Sequence, residues 1–270
     1  MNAVTAFLLA LAIACLAFSL VYLLARRLNN YGIVDVAWSL GFAPVAMHYG
    51  FLGDGSLERR IFIAAIATIW SLRLGGYLAV RVLGKLNVED ARYRQLREDW
   101  GPAFGLKMFG FFHLQALLLV TLSLPFLIPA YNPEPGLRTL EIAAGGLWFI
   151  AVVGEALADL QLAAFKRDPG NRGRVCARGL WSWSRHPNYF FEWLAWVAFS
   201  LFALASPGGC AGLLSPALML FFLLKVTGIK YTEAQLLRSK GEAYARYQQQ
   251  TSPFVPLPPG VFRQTNPYAP

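Results

Sequence analysis

Gly179-Leu180-Trp181-Ser182-Trp183-Ser184-Arg185-His186-Pro187-Asn188-Tyr189-Phe190-Phe191-Glu192-Trp193 joins a basic loop to an apolar run that continues to about residue 206. Pro187 suits the first turn of a helix, where its missing N–H costs nothing. Asn188 and Glu192 are four residues apart, so both polar groups fall on one face of that helix. A carboxylate carried into a membrane helix is costly, and the default reading is that it faces a functional interior. The stretch therefore predicts a membrane helix that enters beside a ligand.

The rest of the chain agrees. Of 270 residues, 56% are hydrophobic and only 14% charged, a composition unlike that of a soluble globule. Apolar runs of about 20 residues, the length that crosses a bilayer core, recur throughout. The first, residues 4–25, is too long for a cleavable signal and is followed directly by Arg26 and Arg27. Helices are predicted at 3–25, 31–50, 61–83, 109–130, 139–165, 187–206 and 210–230. The expected fold is thus all-α, a bundle of seven transmembrane helices in one domain spanning 1–270. Residues 1–130 lie mainly on the substrate side and 131–258 on the cofactor side, with a loose proline-rich tail over 259–270.

The net charge of +9 could suggest nucleic acid, but the cations sit in short loops between apolar runs. Loops one, three and five and the C-terminal segment are basic, whereas loops two, four and six offer only Arg59, Arg60 and Arg138. The positive-inside rule then puts the C-terminus in the cytoplasm and the N-terminus outside. No nucleic-acid partner is expected. Cys15, Cys176 and Cys210 follow no disulfide or zinc spacing, and no metal site is expected.

Several intramembrane polar residues stand out. Asp35 opens the second predicted helix, where it can cap the helix or bind a ligand, and Trp38 follows it. Arg73, Tyr77 and Arg81 share one face of the third helix. Arg73 needs an anion or a watered cavity, whereas Arg81 can snorkel to the interface. Glu155 and Asp159 are four apart on the fifth helix, and two such carboxylates need cations or donors nearby. Loop five supplies them, since Lys166 to Gly179 is rich in arginine, which binds phosphate bidentately, and in glycine, which lets backbone amides approach an anion. In the third loop, Asp90-Ala91-Arg92-Tyr93 is a solvated surface or a cover over a polar ligand. His48, near the far end of its helix, reads as an interfacial residue, and His113 and Gln115 read as structural.

There is no strand pattern, no Gly-x-Gly-x-x-Gly, no P-loop, no His-Glu-x-x-His and no Gly-x-Ser-x-Gly. An active site here must be built from membrane helices and the loops over them.

Arg178 to Glu192, with the later Glu233, Gly241-Glu242-Ala243-Tyr244-Ala245-Arg246-Tyr247 and the closing Pro253-Phe254-Val255-Pro256, resembles the C-terminal half of the steroid 5α-reductase superfamily. The resemblance is closest to its bacterial multi-pass branch. It extends into the N-terminal half only through Asp35, Trp38, Arg73 and Asp90 to Tyr93. It implies a membrane reductase that uses NADPH to saturate the double bond of a 3-oxo-Δ4 steroid or another conjugated lipid ketone, acting as a monomer on a hydrophobic substrate. By matching positions, Glu155 and Asp159 would stand by the nicotinamide amide and ribose, and Arg174 and Arg178 by phosphates. Trp183 would lie beside the cofactor, and Asn188 and Glu192 would hold its nicotinamide end. Arg73, Arg185, His186, Tyr189, Glu233 and Tyr244 complete the implied cofactor set. The Gln-Glu pair of eukaryotic members is missing, so Asp35 and Tyr77 are the nearest catalytic stand-ins, with Trp38 beside them on the substrate side. Isoprenylcysteine carboxyl methyltransferases share the Arg-His-Pro variant. They make S-adenosylmethionine-dependent methyl transfer to a lipid the rival reading, one that leaves the arginines of loop five without a phosphate to bind.

Overall fold

The computed structural model describes residues 1–84, 86–226 and 228–262. Lys85, a cation of the basic third loop, and the tail beyond residue 262 lie outside the described residues. Helices run as α1 (Ala3–Leu28), α2 (Ile33–Leu52), α3 (Leu57–Leu83), α4 (Ala91–Trp100), α5 (Phe104–Leu122), α6 (Leu124–Ala130), α7 (Thr139–Arg167), α8 (Pro187–Leu204), α9 (Leu214–Phe221), α10 (Ile229–Lys240) and α11 (Glu242–Gln250). No strand occurs among the described residues.

Among them, five segments are long and apolar enough to cross a membrane: Ala3–Leu28, Leu57–Leu83, Ala91–Ala130, Thr139–Arg167 and Gly209–Lys240. This set is compatible with a multi-pass membrane protein, although the expected count of seven is not reached. The second and sixth predicted helices exist as α2 and α8, yet they fall short in apolarity. α2 carries Asp35, Pro44 and His48, and α8 carries Asn188, Tyr189 and Glu192. The fourth predicted helix is in fact two, since α5 ends at Leu122, Ser123 caps the break and Pro125 stands in the first turn of α6. The seventh is also divided, with α9 passing into a π-helical turn at Phe222–Val226.

The chain packs as two compact units, Met1–Ile142 with Phe199–Ser215, and Ala143–Ala198 with the residues from Pro216 onward. In the first unit, α1 buries a narrow stripe of Ala6, Ala10, Ala14, Phe18, Tyr22 and Ala25, and exposes Leu8, Leu16, Leu20 and Leu23. Small residues that let backbones approach, with large apolar ones turned outward, are what a helix in lipid needs. Asn2 caps its start by accepting from the Thr5 N–H at 2.8 Å.

α2 and α3 interlock. The Ser71 hydroxyl donates to the Ser39 carbonyl at 2.6 Å and accepts from the Ala43 N–H at 3.0 Å, inserting itself into the α2 ladder one residue before Pro44. An inserted hydroxyl beside a proline is an identifiable cause of helix distortion. At Gly75 any Cβ would fall 2.4 Å from the Leu40 side chain, so only glycine permits this approach.

Arg59 is the largest correction to the loop reading. It lies inside α3 rather than in a loop, fully buried and paired with Glu141. Its guanidinium also donates to the carbonyls of Glu134 and Gly136, each at 2.6 Å. Arg60 donates to the Gly50 carbonyl at 2.8 Å and so satisfies the end of α2. His113 has the structural role expected, contacting the Ser19 hydroxyl at 3.1 Å, whereas His48, expected at the interface, contacts the Ala6 carbonyl at 3.1 Å.

Candidate functional site

Within the second unit, α7 and α8 approach closely at Gly154, where a Cβ would sit 2.5 Å from the Phe191 ring. That closeness brings together polar residues singled out from the sequence. Glu155 and Asp159, one turn apart on α7, are only 3% and 4% exposed. The Asn188 side-chain amide, in the first turn of α8, donates to Asp159 Oδ1 at 3.4 Å. One turn further, buried Glu192 accepts from the Trp196 indole at 3.0 Å. Three carboxylates and an amide thus stand on two facing helices, an acceptor-rich set suited to a ligand that carries amide and hydroxyl donors.

The connection between these helices is held from both sides. Gln161, to which no spacing or motif assigned a role, accepts from the Leu180 N–H at 2.9 Å. It lies so close to Gly179 that a Cβ there would meet it at 2.5 Å, and Gly179 itself has φ of +60°. The Trp181 indole donates to the Ala158 carbonyl at 2.9 Å. Trp183 is half-exposed, and Arg174 and Arg178 lie on the surface, with the Arg178 guanidinium 5.0 Å from the Phe165 ring centre.

Arg185 and His186 are placed differently. Arg185 is 6% exposed and its donors are taken within the protein, Nε by Glu233 Oε1 at 2.7 Å and Nη1 by the carbonyls of Gln248 and Thr251 at 2.6 and 3.0 Å. His186 Nε2 lies 3.2 Å from the same Glu233 oxygen, and its ring stacks on Tyr189 at 5.3 Å. The Gln248 side chain donates to Glu233 Oε2 at 2.9 Å, and Tyr244 is buried beside it. Burial holds the His186 imidazole below its ordinary range, against the opposing pull of the Glu233 hydrogen bond and charge. This knot fastens α10 and α11 to the start of α8. Its partners lie 47 to 66 residues away, a separation at which spacing carries no signal.

In the first unit, Asp35 is not a helix cap. It accepts from Arg92 Nη2 at 2.6 Å and from the Tyr93 hydroxyl at 2.7 Å. Asp90 caps α4 by accepting from the Arg92 N–H at 2.9 Å. Burial alone would raise the Asp90 carboxyl, but the hydrogen bonds and charge of Arg92 outweigh it and hold the group below its usual range. The segment expected as a solvated surface or a ligand cover is therefore a short helix anchored on α2. Trp38 presents an indole N–H that is buried without a hydrogen-bond partner among the described residues. Arg73 and Tyr77 lie partly buried on one face of α3. Asp35, Trp38, Arg73 and Tyr77 all belong to this unit, and the other candidate residues to the second.

Comparison with known proteins places the chain. Residues 21–251 match the family described as "Protein of unknown function (DUF1295)". An uncharacterized protein of Schizosaccharomyces pombe is 29% identical over 211 residues, which are 66% of this chain and 59% of the yeast protein. The chain thus spans about three fifths of the length of this relative. No solved structure matches. With most of its length covered by that match, the chain belongs to the DUF1295 family, a member of the steroid 5α-reductase-like group.

Proposed function

We propose that the protein reduces the conjugated double bond of a lipid ketone, with the second unit holding NADPH. The observation that carries this reading is the buried set of Glu155, Asp159, Asn188 and Glu192 on α7 and α8, next in sequence to exposed Arg174 and Arg178. A nicotinamide nucleotide offers the matching chemistry: a carboxamide and ribose hydroxyls for the acids and the amide, and phosphates for the arginines. The donor set fits the group. Bound there, NADPH would supply a hydride to the β-carbon of the enone.

The chain's own residues then have separate tasks. Asn188 and Asp159 orient the carboxamide end, and Glu192 is held for it by Trp196. Arg174 and Arg178 take phosphate, and Trp183 offers a half-exposed ring for stacking. Arg185, His186 and Glu233 act as positioning residues, because their polar groups already serve one another. In the first unit, Tyr77 carries a phenol O–H of the kind that stabilises a developing enolate. Asp35 has both oxygens engaged as acceptors, so its task is to hold Tyr93 and Arg92 rather than to give a proton.

Ligand-dependent melting of the detergent-purified protein tests the reading, since a ligand that binds only the folded state stabilises it. NADPH should raise Tm and S-adenosylmethionine should not; the reverse result would install methyl transfer to a lipid in its place. Asn188→Ala should abolish most NADPH-dependent turnover of a steroid enone at unchanged Tm, and a wild-type rate would remove Asn188 from the nicotinamide site. Arg178→Ala should mainly raise the KM for NADPH.

A further inference from the structure

A second candidate site lies in the first unit, in a cleft of about 410 Å³ lined by Tyr22, Arg26, Tyr31, Gly105, Leu106 and Phe109. Its size is that of a small-molecule site, and its lining is divided by chemistry. Leu106 and Phe109 on α5 are 79% and 40% exposed, and α1 likewise turns Leu20, Leu23 and Leu24 outward. Arg26 stands in the last turn of α1, exposed, and among the described residues no carboxylate pairs with it. The Tyr31 ring is 4% exposed and fixed edge-on against Phe104 at 5.0 Å, yet its hydroxyl has no hydrogen-bond partner among the described residues. Burial and the neighbouring Tyr22 raise the Tyr31 phenol, against the pull of the Arg97 and Arg26 charges, so it stays an O–H donor. The Tyr22 hydroxyl is already spent on the Gly105 carbonyl at 2.9 Å. Glu89 accepts from the Tyr31 backbone N–H at 3.1 Å, and its charge is paired with Arg97, both oxygens at 3.2 Å, whose guanidinium lies 5.4 Å from the Tyr31 ring centre.

We propose that this cleft binds the headgroup phosphate of an anionic phospholipid, held by Arg26 and the Tyr31 hydroxyl, with the acyl chain laid over Leu106 and Phe109. A lipid, rather than a free phosphate, is favoured because the cleft opens onto the apolar surface at the end of a membrane-length helix. There, cations meet acidic headgroups and aromatic rings settle at the interface. The site shares no residue with the proposed cofactor set, so it stands or falls independently.

The test uses the whole, delipidated protein in a maltoside detergent and three probes: phosphatidylglycerol, phosphatidylcholine of the same acyl length, and glycerol 3-phosphate. Phosphatidylglycerol should raise Tm saturably and more than phosphatidylcholine, and millimolar glycerol 3-phosphate should leave Tm unchanged. Arg26→Gln should weaken the phosphatidylglycerol response about tenfold and Tyr31→Phe about threefold, the sizes expected for losing a charge-assisted and a single hydrogen bond. Neither variant should move the lipid-free Tm by much, because Arg26 is exposed and phenylalanine keeps the packed ring. Wild-type responses from both variants, or equal stabilisation by glycerol 3-phosphate, would overturn the proposal.

Discussion

Apart from the fully buried Arg59–Glu141 pair of the first unit, each unit of the molecule holds a polar knot built on an arginine, and these two differ in how far they are closed. In the first, Arg92 and Asp35 keep side-chain exposures of 28% and 21% and meet through one ion pair and the Tyr93 phenol. In the second, Arg185 and Glu233 are at 6% and 15%, and one guanidinium also satisfies two carbonyls. A part-buried pair is partly screened and contributes less. A buried one becomes costly to break, because the remaining partner is left charged in a low-dielectric setting. The open knot tethers a short helix; the closed one holds two helices and the turn at Thr251 in place.

The contrast can be broken by mutation. Arg185→Gln strands Glu233 and the carbonyls of Gln248 and Thr251, and should cost about 3–5 kcal/mol. Limited proteolysis should then cut within residues 229–250 before anywhere else; equal resistance to the wild type would refute the fastening role. Next in size is the helix crossing. Gly154→Leu forces a side chain into the Phe191 ring, an overpacking worth about 1–3 kcal/mol, and should lower NADPH-induced stabilisation along with Tm. Arg92→Gln, in the screened knot, should cost only about 1 kcal/mol and leave the proteolytic pattern unchanged.

Acid gives the finest comparison. His186 is held below its ordinary pKa in the folded state, so the unfolded chain binds the proton more readily. Its contribution is therefore complete above the ordinary value of 6.5 and shrinks as pH falls below it. Asp90 has a folded pKa below the ordinary 3.8, so its contribution is present above that value and is lost only as pH falls further. As pH is lowered below about 6.5, the second unit should therefore weaken before the first. His186→Gln should flatten that slope in a pH series of melting curves.

Helicity and a membrane setting were legible in residue order alone, because hydropathy and the 3.6-residue period are local properties. So were the place of Pro187 at the start of its helix and the common faces of Glu155 with Asp159 and of Asn188 with Glu192, since residues four apart are neighbours on any helix. Seven membrane-length helices were expected where five segments reach that length and apolarity. A helix can keep its backbone bonds while polar residues lower its apolarity, as α2 and α8 do. Partners across long separations emerged only when the chain was folded. Arg59 with Glu141, Asp35 with Arg92 and Tyr93, and Arg185 with Glu233 are 82, 57, 58 and 48 residues apart. A charged side chain carries no mark of which distant partner will neutralise it; only packing, by removing water from the pair, makes that choice.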